Sequence, residues 1–245
     1  MPNASTRAFI LGTSVFNEQD KLVHLLTVNR GTLKAIAPGA LKNNNRFGSL
    51  LELFTEGEFQ YHWKEDKEMV TLAKGDIVNS YFNMVSNPGN IFYFYLLAEV
   101  LLKFVPYSHR DKRIYRLIHA LLESREKGIQ MDLLLLYFLV WILRIEGMMF
   151  NPDLCSNCFE RDINRAWMRR DFRGILCPAC RTNENLGFSG GDLQFIRWTE
   201  KHAPRELHVW KEKIDNAKLI RTFKQKIEHH GELSLKTTQY LSEFR

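Results

Sequence analysis

All four cysteines of the chain fall between residues 155 and 180, as Cys155-x2-Cys158 and Cys177-x2-Cys180 with eighteen residues between the pairs. No other feature limits the fold as strongly. Two cysteines two residues apart fit one tight knuckle and aim both sulfurs at one point. Two knuckles complete a tetrahedron. The pattern points to Zn2+, which offsets the repulsion between thiolates and cross-links a loop short of core residues. Four protein ligands leave no open position for water, so the site reads as structural rather than catalytic. The competing reading is four unrelated buried cysteines.

The metal reading is supported by compartment. Met1 to Thr13 is too polar, and its apolar run Ala8 to Leu11 too short, for a secretory leader. The most apolar stretch, Leu133 to Leu143, is flanked by Asp132 and Arg144 and falls short of the ~20 residues that span a bilayer. It reads as a buried core helix, with no membrane partner. A cytoplasmic location is expected, where thiols stay reduced and bind metal instead of pairing.

Strand signals mark the first part of the chain, with period-two alternation over Leu50 to Trp63. Arg7 to Phe16, Lys21 to Thr27, Thr32 to Ala37, Leu50 to Trp63 and Met69 to Ala73 read as five short strands, with a tight turn at Asn29-Arg30-Gly31 and a break at Pro38-Gly39. Five strands and no strong helix suggest a small antiparallel barrel. After Asp76 the spacing becomes helical: Asn90 to Phe104, Lys112 to Ser124, and a Leu-rich helix N-capped by Asp132 and ending near Gly147. The cysteine region carries two glycine-containing turns, and Asp192 to Arg245 is weakly helical. The fold class is α+β. Its expected divisions are a barrel at 1–78, a first helical part at 79–150, an inserted zinc element at 151–190 and a last helical part at 191–245.

The formal charge of +6 is a mean over unlike parts. From Lys21 to Leu51 there are five basic residues, Lys21, Arg30, Lys34, Lys42 and Arg46, and no Asp or Glu. Such a stretch can lie against a polyanion without internal neutralisation, or be a solvated loop. A second focus lies between the cysteine pairs, where Arg161, Arg165, Arg169, Arg170 and Arg173 are interleaved with Trp167 and Phe172, and Arg181 follows. Arginine with aromatics suits phosphate contact and base stacking. Alternatively, Trp167 packs on the knuckle and the arginines pair with Glu160, Asp162 and Asp171. A third group, Lys103, Arg110, Lys112, Arg113 and Arg116, surrounds one helix junction. It forms either a patch for acidic protein tails or a solvated face.

Catalytic motifs are absent. There is no G-x-x-x-x-G-K-[ST], G-x-S-x-G or H-E-x-x-H, and His229 and His230 are adjacent and unaccompanied by a carboxylate motif. The chain reads as a non-enzyme.

The order of parts resembles the bacterial recombination and repair family RecO. Residues 17–53, NEQDKLVHLLTVNRGTLKAIAPGALKNNNRFGSLLEL, look like that family's strand–turn–strand and basic loop. Residues 134–158, LLLYFLVWILRIEGMMFNPDLCSNC, and GILCPAC at 174–180 look like its long helix and zinc knuckles. The resemblance implies an OB-fold that binds single- and double-stranded DNA and anneals complementary strands. It also implies RecR, the acidic C-terminal tail of single-stranded-DNA-binding protein, and RecA loading onto coated strands. Cys155, Cys158, Cys177 and Cys180 match the zinc ligands. Arg30, Lys34, Lys42 and Arg46 fall where the family is basic, with Arg169 and Arg170 as further DNA candidates. Lys103, Arg110, Arg113 and Arg116 are the candidate partner residues. One departure is Pro38, which precedes Gly39 where the family carries Lys, and Asn43-Asn44-Asn45 thins the charge further. The rival reading is a zinc-containing scaffold for acidic tails, with only incidental DNA contact.

Overall fold

The computed structural model describes residues 3–63, 69–105, 111–181 and 186–237. Two compact units divide the chain: Met1–Arg116 with Thr237–Arg245, and Leu117–Lys236.

The first unit is built on β1 (Asn3–Val15), β2 (Lys21–Thr27), β3 (Gly31–Ala37), β4 (Glu56–His62) and β5 (Met69–Asn79). They close into a barrel in the order β1-β2-β3-β5-β4, with β4 returning to β1. All neighbours are antiparallel except β3 and β5, which run parallel. Five strands are an odd number, so alternation cannot be maintained around a closed ring and one parallel pair is unavoidable. The β2–β3 turn is a three-residue loop ending on Gly31, tied by Thr27, whose hydroxyl donates to the Gly31 carbonyl (2.8 Å) and accepts from the Arg30 N–H (3.0 Å).

Inward positions alternate as the pattern required. Ala8, Ile10, Val23, Leu25, Ala35, Phe59, Tyr61 and Leu72 form the core, and Trp63 packs against it. Leu50 plugs the barrel. A Cβ at Gly57 or at Gly75 would sit 2.7 Å from its methyl carbons, so only glycine leaves room. This plug breaks the strand expected over Leu50 to Trp63. Gly48–Leu51 is instead a 3-10 turn, Phe54 takes φ 57°, and the strand begins at Glu56. β5, expected to end at Ala73, runs on to Asn79 because its second half pairs with β4.

Helices cover part of the barrel exterior within the same unit: α1 (Phe82–Val85), α2 (Ile91–Phe104) and the start of α3 (Lys112–Glu126). Phe94 packs on Phe54, and Tyr115 on Phe9. Glu56, 1% exposed, accepts from the Tyr115 hydroxyl (2.5 Å) and the Asn79 amide (2.6 Å), which satisfies a buried carboxylate at the head of β4.

In the second unit α4 (Met131–Ile145) is buried over nearly its whole surface, which accounts for its continuous apolar run. Gln130, not Asp132, occupies its N-cap. Asp132 stands in the first turn, where a carboxylate faces the positive helix end, and accepts from Asn216 (2.7 Å). A sheet of two- and three-residue strands follows: β6 (Ala166–Met168), β7 (Ile175–Leu176) and β8 (Gly187–Phe188), in the order β7-β6-β8. The weakly periodic remainder forms α5 (Gly190–Trp198), a 3-10 helix (Pro204–Trp210) and α6 (Asn216–Gly231). A Ser189–Asp192 capping box opens α5. Among the described residues no helix is long and apolar enough to cross a membrane.

Candidate metal centre and nucleic-acid interface

The two knuckles meet. The sulfurs of Cys155, Cys158, Cys177 and Cys180 all lie within 4.8 Å of one another, and Cys158 and Cys177 are 3.6 Å apart. A tetrahedral Zn2+ with ~2.3 Å bonds needs sulfurs ~3.8 Å apart, so the donor set fits such an ion. The backbone holds the knuckles in register: Cys155 pairs with Ile175 through an isolated bridge, and the Ser156 N–H and hydroxyl both donate to the Ile175 carbonyl (2.9 Å each). Hydrogen bonds to sulfur orient the ligands, from the Cys177 N–H to Cys155 and from the Asn157 amide to Cys180, each 3.3 Å.

These sulfurs differ in acidity. Burial alone would raise the Cys155 thiol, but the N–H groups of Cys158, Cys177 and Asn157 outweigh it and bring it down to about 6. At Cys158 the Glu160 N–H favours the thiolate, yet the three neighbouring sulfurs together push the thiol up to about 12. Four sulfurs so close cannot all ionise without a cation among them. All four cysteines are free of disulfides.

Nearby, in the same unit, Lys226 of α6 is fully buried. Its ammonium donates to the Phe172 carbonyl and meets His230 Nε2 at 3.0 Å. Burial pushes it down to about 8, against the opposing pull of Asp171. Nothing in the sequence around Lys226 marked it as buried.

The acid-free stretch lies on the barrel. Arg30 sits in the β2–β3 turn with its guanidinium 5.6 Å over the Trp63 ring. Lys34 is on β3 opposite His24, whose pKa is lowered by burial and by the Lys34 charge. Lys42 and Arg46 are exposed in the loop before the plug, and Arg46 lies 5.0 Å over Phe47. Asp20, just outside the stretch, is held below its usual value by the Gly39 N–H, by Asn17 and by the charge of Lys42. The Trp63 partner of Arg30 was missed from sequence because the two are far apart along the chain.

In the second unit Arg169 is paired with Asp171 at 2.9 Å, and Arg170 is exposed. Trp167 does not carry these two but lies under Arg165 and Arg181, at 5.9 and 4.8 Å. In the third group Lys103 pairs with Glu99 at 2.7 Å and Arg113 with Asp111 at 2.6 Å, while Arg116 is exposed. Arg110 lies outside the described residues.

A closed five-stranded barrel followed by helices and a four-cysteine cluster defines a class of OB-fold proteins with a candidate structural metal site. The family model for the recombination protein O N-terminal domain matches residues 1–81, and that for its C-terminal domain matches residues 86–239. The chain belongs to the RecO family. It is 24% identical over 257 residues to DNA repair protein RecO of Desulfatibacillum aliphaticivorans, covering 100% of this chain and 98% of that one. It is 30% identical over 174 residues to the Koribacter versatilis protein of the same name, covering 70% of each chain. A third relative of that name, from Dehalococcoides mccartyi, is 24% identical over 201 residues, covering 80% of this chain and 78% of its own.

Proposed function

We propose that this chain is a recombination mediator in DNA repair that works by bringing strands together and not by making or breaking bonds. The observation that carries the reading is the acid-free stretch of a closed barrel, with Arg30 and Lys34 half-exposed and Lys42 and Arg46 exposed on it. Neutralising phosphates there releases condensed counterions, which drives binding to single- and double-stranded DNA. Two bound strands then approach with their repulsion screened, which is what annealing requires. Arg30 over the half-buried Trp63 adds stacking surface next to positive charge. Arg169 and Arg170, which exchange their intramolecular partners for phosphates, extend the DNA contacts.

With RecR, the protein helps load RecA onto single strands coated by single-stranded-DNA-binding protein. The acidic tail of that coating protein docks on Lys103, Arg110, Arg113 and Arg116. At Lys103 and Arg113 it exchanges with the intramolecular carboxylates of Glu99 and Asp111. Zn2+ on the four cysteines holds the two knuckles together; its role is structural because the protein supplies all four ligands. The protein acts in the cytoplasm, on the nucleoid when bound to DNA.

The test is strand annealing with complementary oligonucleotides, with and without RecR and coating protein, at two salt concentrations. Annealing by the chain alone at low salt, suppressed at high salt, is expected. Coated strands should anneal only when the chain is present. Failure to anneal bare strands at any salt overturns the mediator reading.

A further inference from the structure

Trp167 occupies the middle of β6, the central strand of the small sheet, with Leu176 opposite it on β7 and Gly187 on β8. Residue 187 has to be small for this: a Cβ there would come within 3.2 Å of Trp167 Nε1. The indole is half-buried, and two exposed guanidinium groups lie over it. Arg165 is 5.9 Å from the ring centroid, and Arg181, the residue after Cys180, is 4.8 Å away. Among the described residues neither has a carboxylate partner, whereas their neighbours Arg169 and Arg197 are paired with Asp171 and Asp153.

A guanidinium held at an aromatic ring by the cation–π attraction keeps N–H donors available for a ligand. Those donors match the paired oxygens of a phosphate. Two cations gathered on one ring repel each other, and the ring's electron-rich face offsets only part of that repulsion. An anion bridging them removes the rest. The ring also restricts both side chains, so less freedom is lost when a ligand arrives. The second knuckle sets the backbone before Arg181, which links the cluster's geometry to the cysteine site.

We infer that Arg165 and Arg181, gathered at the Trp167 ring, form a binding site for the phosphodiester backbone of a DNA strand in the cysteine element, additional to the barrel surface. This rests on the DNA-binding reading above and deepens it.

The test uses the full chain with its metal content measured, a fluorescein-labelled oligo-dT and fluorescence anisotropy across a salt series. R165Q/R181Q should weaken binding about tenfold at low salt and reduce the slope of log K against log salt by ~1.4, two contacts at ~0.7 each. Metal content should be unchanged. If the double variant loses metal, the single variants R165Q and R181Q decide, each expected to reduce the slope by ~0.7. Wild-type slopes in these variants, together with loss of binding in R30E/K34E/K42E/R46E, would refute the cluster and leave the barrel reading standing. Wild-type binding in every variant would refute both. Inorganic phosphate at matched ionic strength should not displace the oligonucleotide. Full displacement would assign the site to free phosphate and overturn the strand-binding claim.

Discussion

In the barrel, strands of 7 to 13 residues close on a core of apolar side chains, and every strand has a neighbour on both sides. In the cysteine element, strands of 2 or 3 residues lie beside a cluster of four sulfurs. The barrel buries enough surface to order itself. The element has only a small set of buried apolar side chains, among them Ile163, Ala166, Met168 and Ile175, and in the proposed reading a cation among its sulfurs adds the cross-link. The basic side chains sit differently as well. On the barrel Lys34 stands on a strand, Arg30 on the β2–β3 turn, and Lys42 and Arg46 on the loop before the plug. In the element their positions follow from the knuckles.

The comparison breaks most sharply if metal is removed. Chelation, or Cys177→Ser, should strip hydrogen-exchange protection from amides such as Cys155, Met168 and Cys177 and leave Leu25 and Ala35 of the barrel protected. Structural zinc is worth ~10–16 kcal/mol in small metal-dependent folds, so the element's protection should be lost outright. Full protection of the element without metal would contradict the account. The reciprocal change is Leu50→Ala. Removing the plug between Gly57 and Gly75 should destabilise the barrel by about 3–5 kcal/mol in urea unfolding, with metal content unchanged.

A smaller effect should come from Lys226. Its folded pKa is depressed to about 8, so between pH 8 and the ordinary lysine value the unfolded chain binds a proton that the folded chain has lost. Stability should therefore rise with pH across that window, on the order of 1–2 kcal/mol, and Lys226→Met should flatten the rise. Urea midpoints measured from pH 7 to 10.5 check this. An unchanged slope in the variant would show that Lys226 does not report the burial assigned to it.

The regions also differed in how legible they were in the sequence. The apolar run KLVHLLT and the Asn29-Arg30-Gly31 turn signal after it placed β2 at its observed bounds, because a turn marks a strand end locally in the sequence. The Leu-rich run placed α4 for a similar reason, and cysteine spacing brought four distant sulfurs together. What escaped was set by partners remote in the chain. Leu50 broke an expected strand because it fills a space cleared by Gly57 and Gly75. The barrel's parallel pair follows from closure, which no local window contains. Asp132 resembled an N-cap, yet it answers to Asn216, 84 residues away. The short strands β6 to β8 are too brief to show any period. At the candidate interface the basic residues could be counted, but their pairing could not. Only the fold separates Arg169, matched by Asp171, from Arg165 and Arg181 on Trp167.

The central claim is that the basic side chains of the acid-free stretch 21–51 on the barrel bind DNA through its phosphates. The most direct measurement is the affinity of wild type and R30E/K34E/K42E/R46E for a labelled single strand, by anisotropy across a salt series. Wild type should bind tightly at low salt, with log K falling steeply and linearly against log salt, and the reversal variant should lose most of both affinity and slope. A folded, metal-loaded reversal variant with wild-type affinity and slope would contradict the claim.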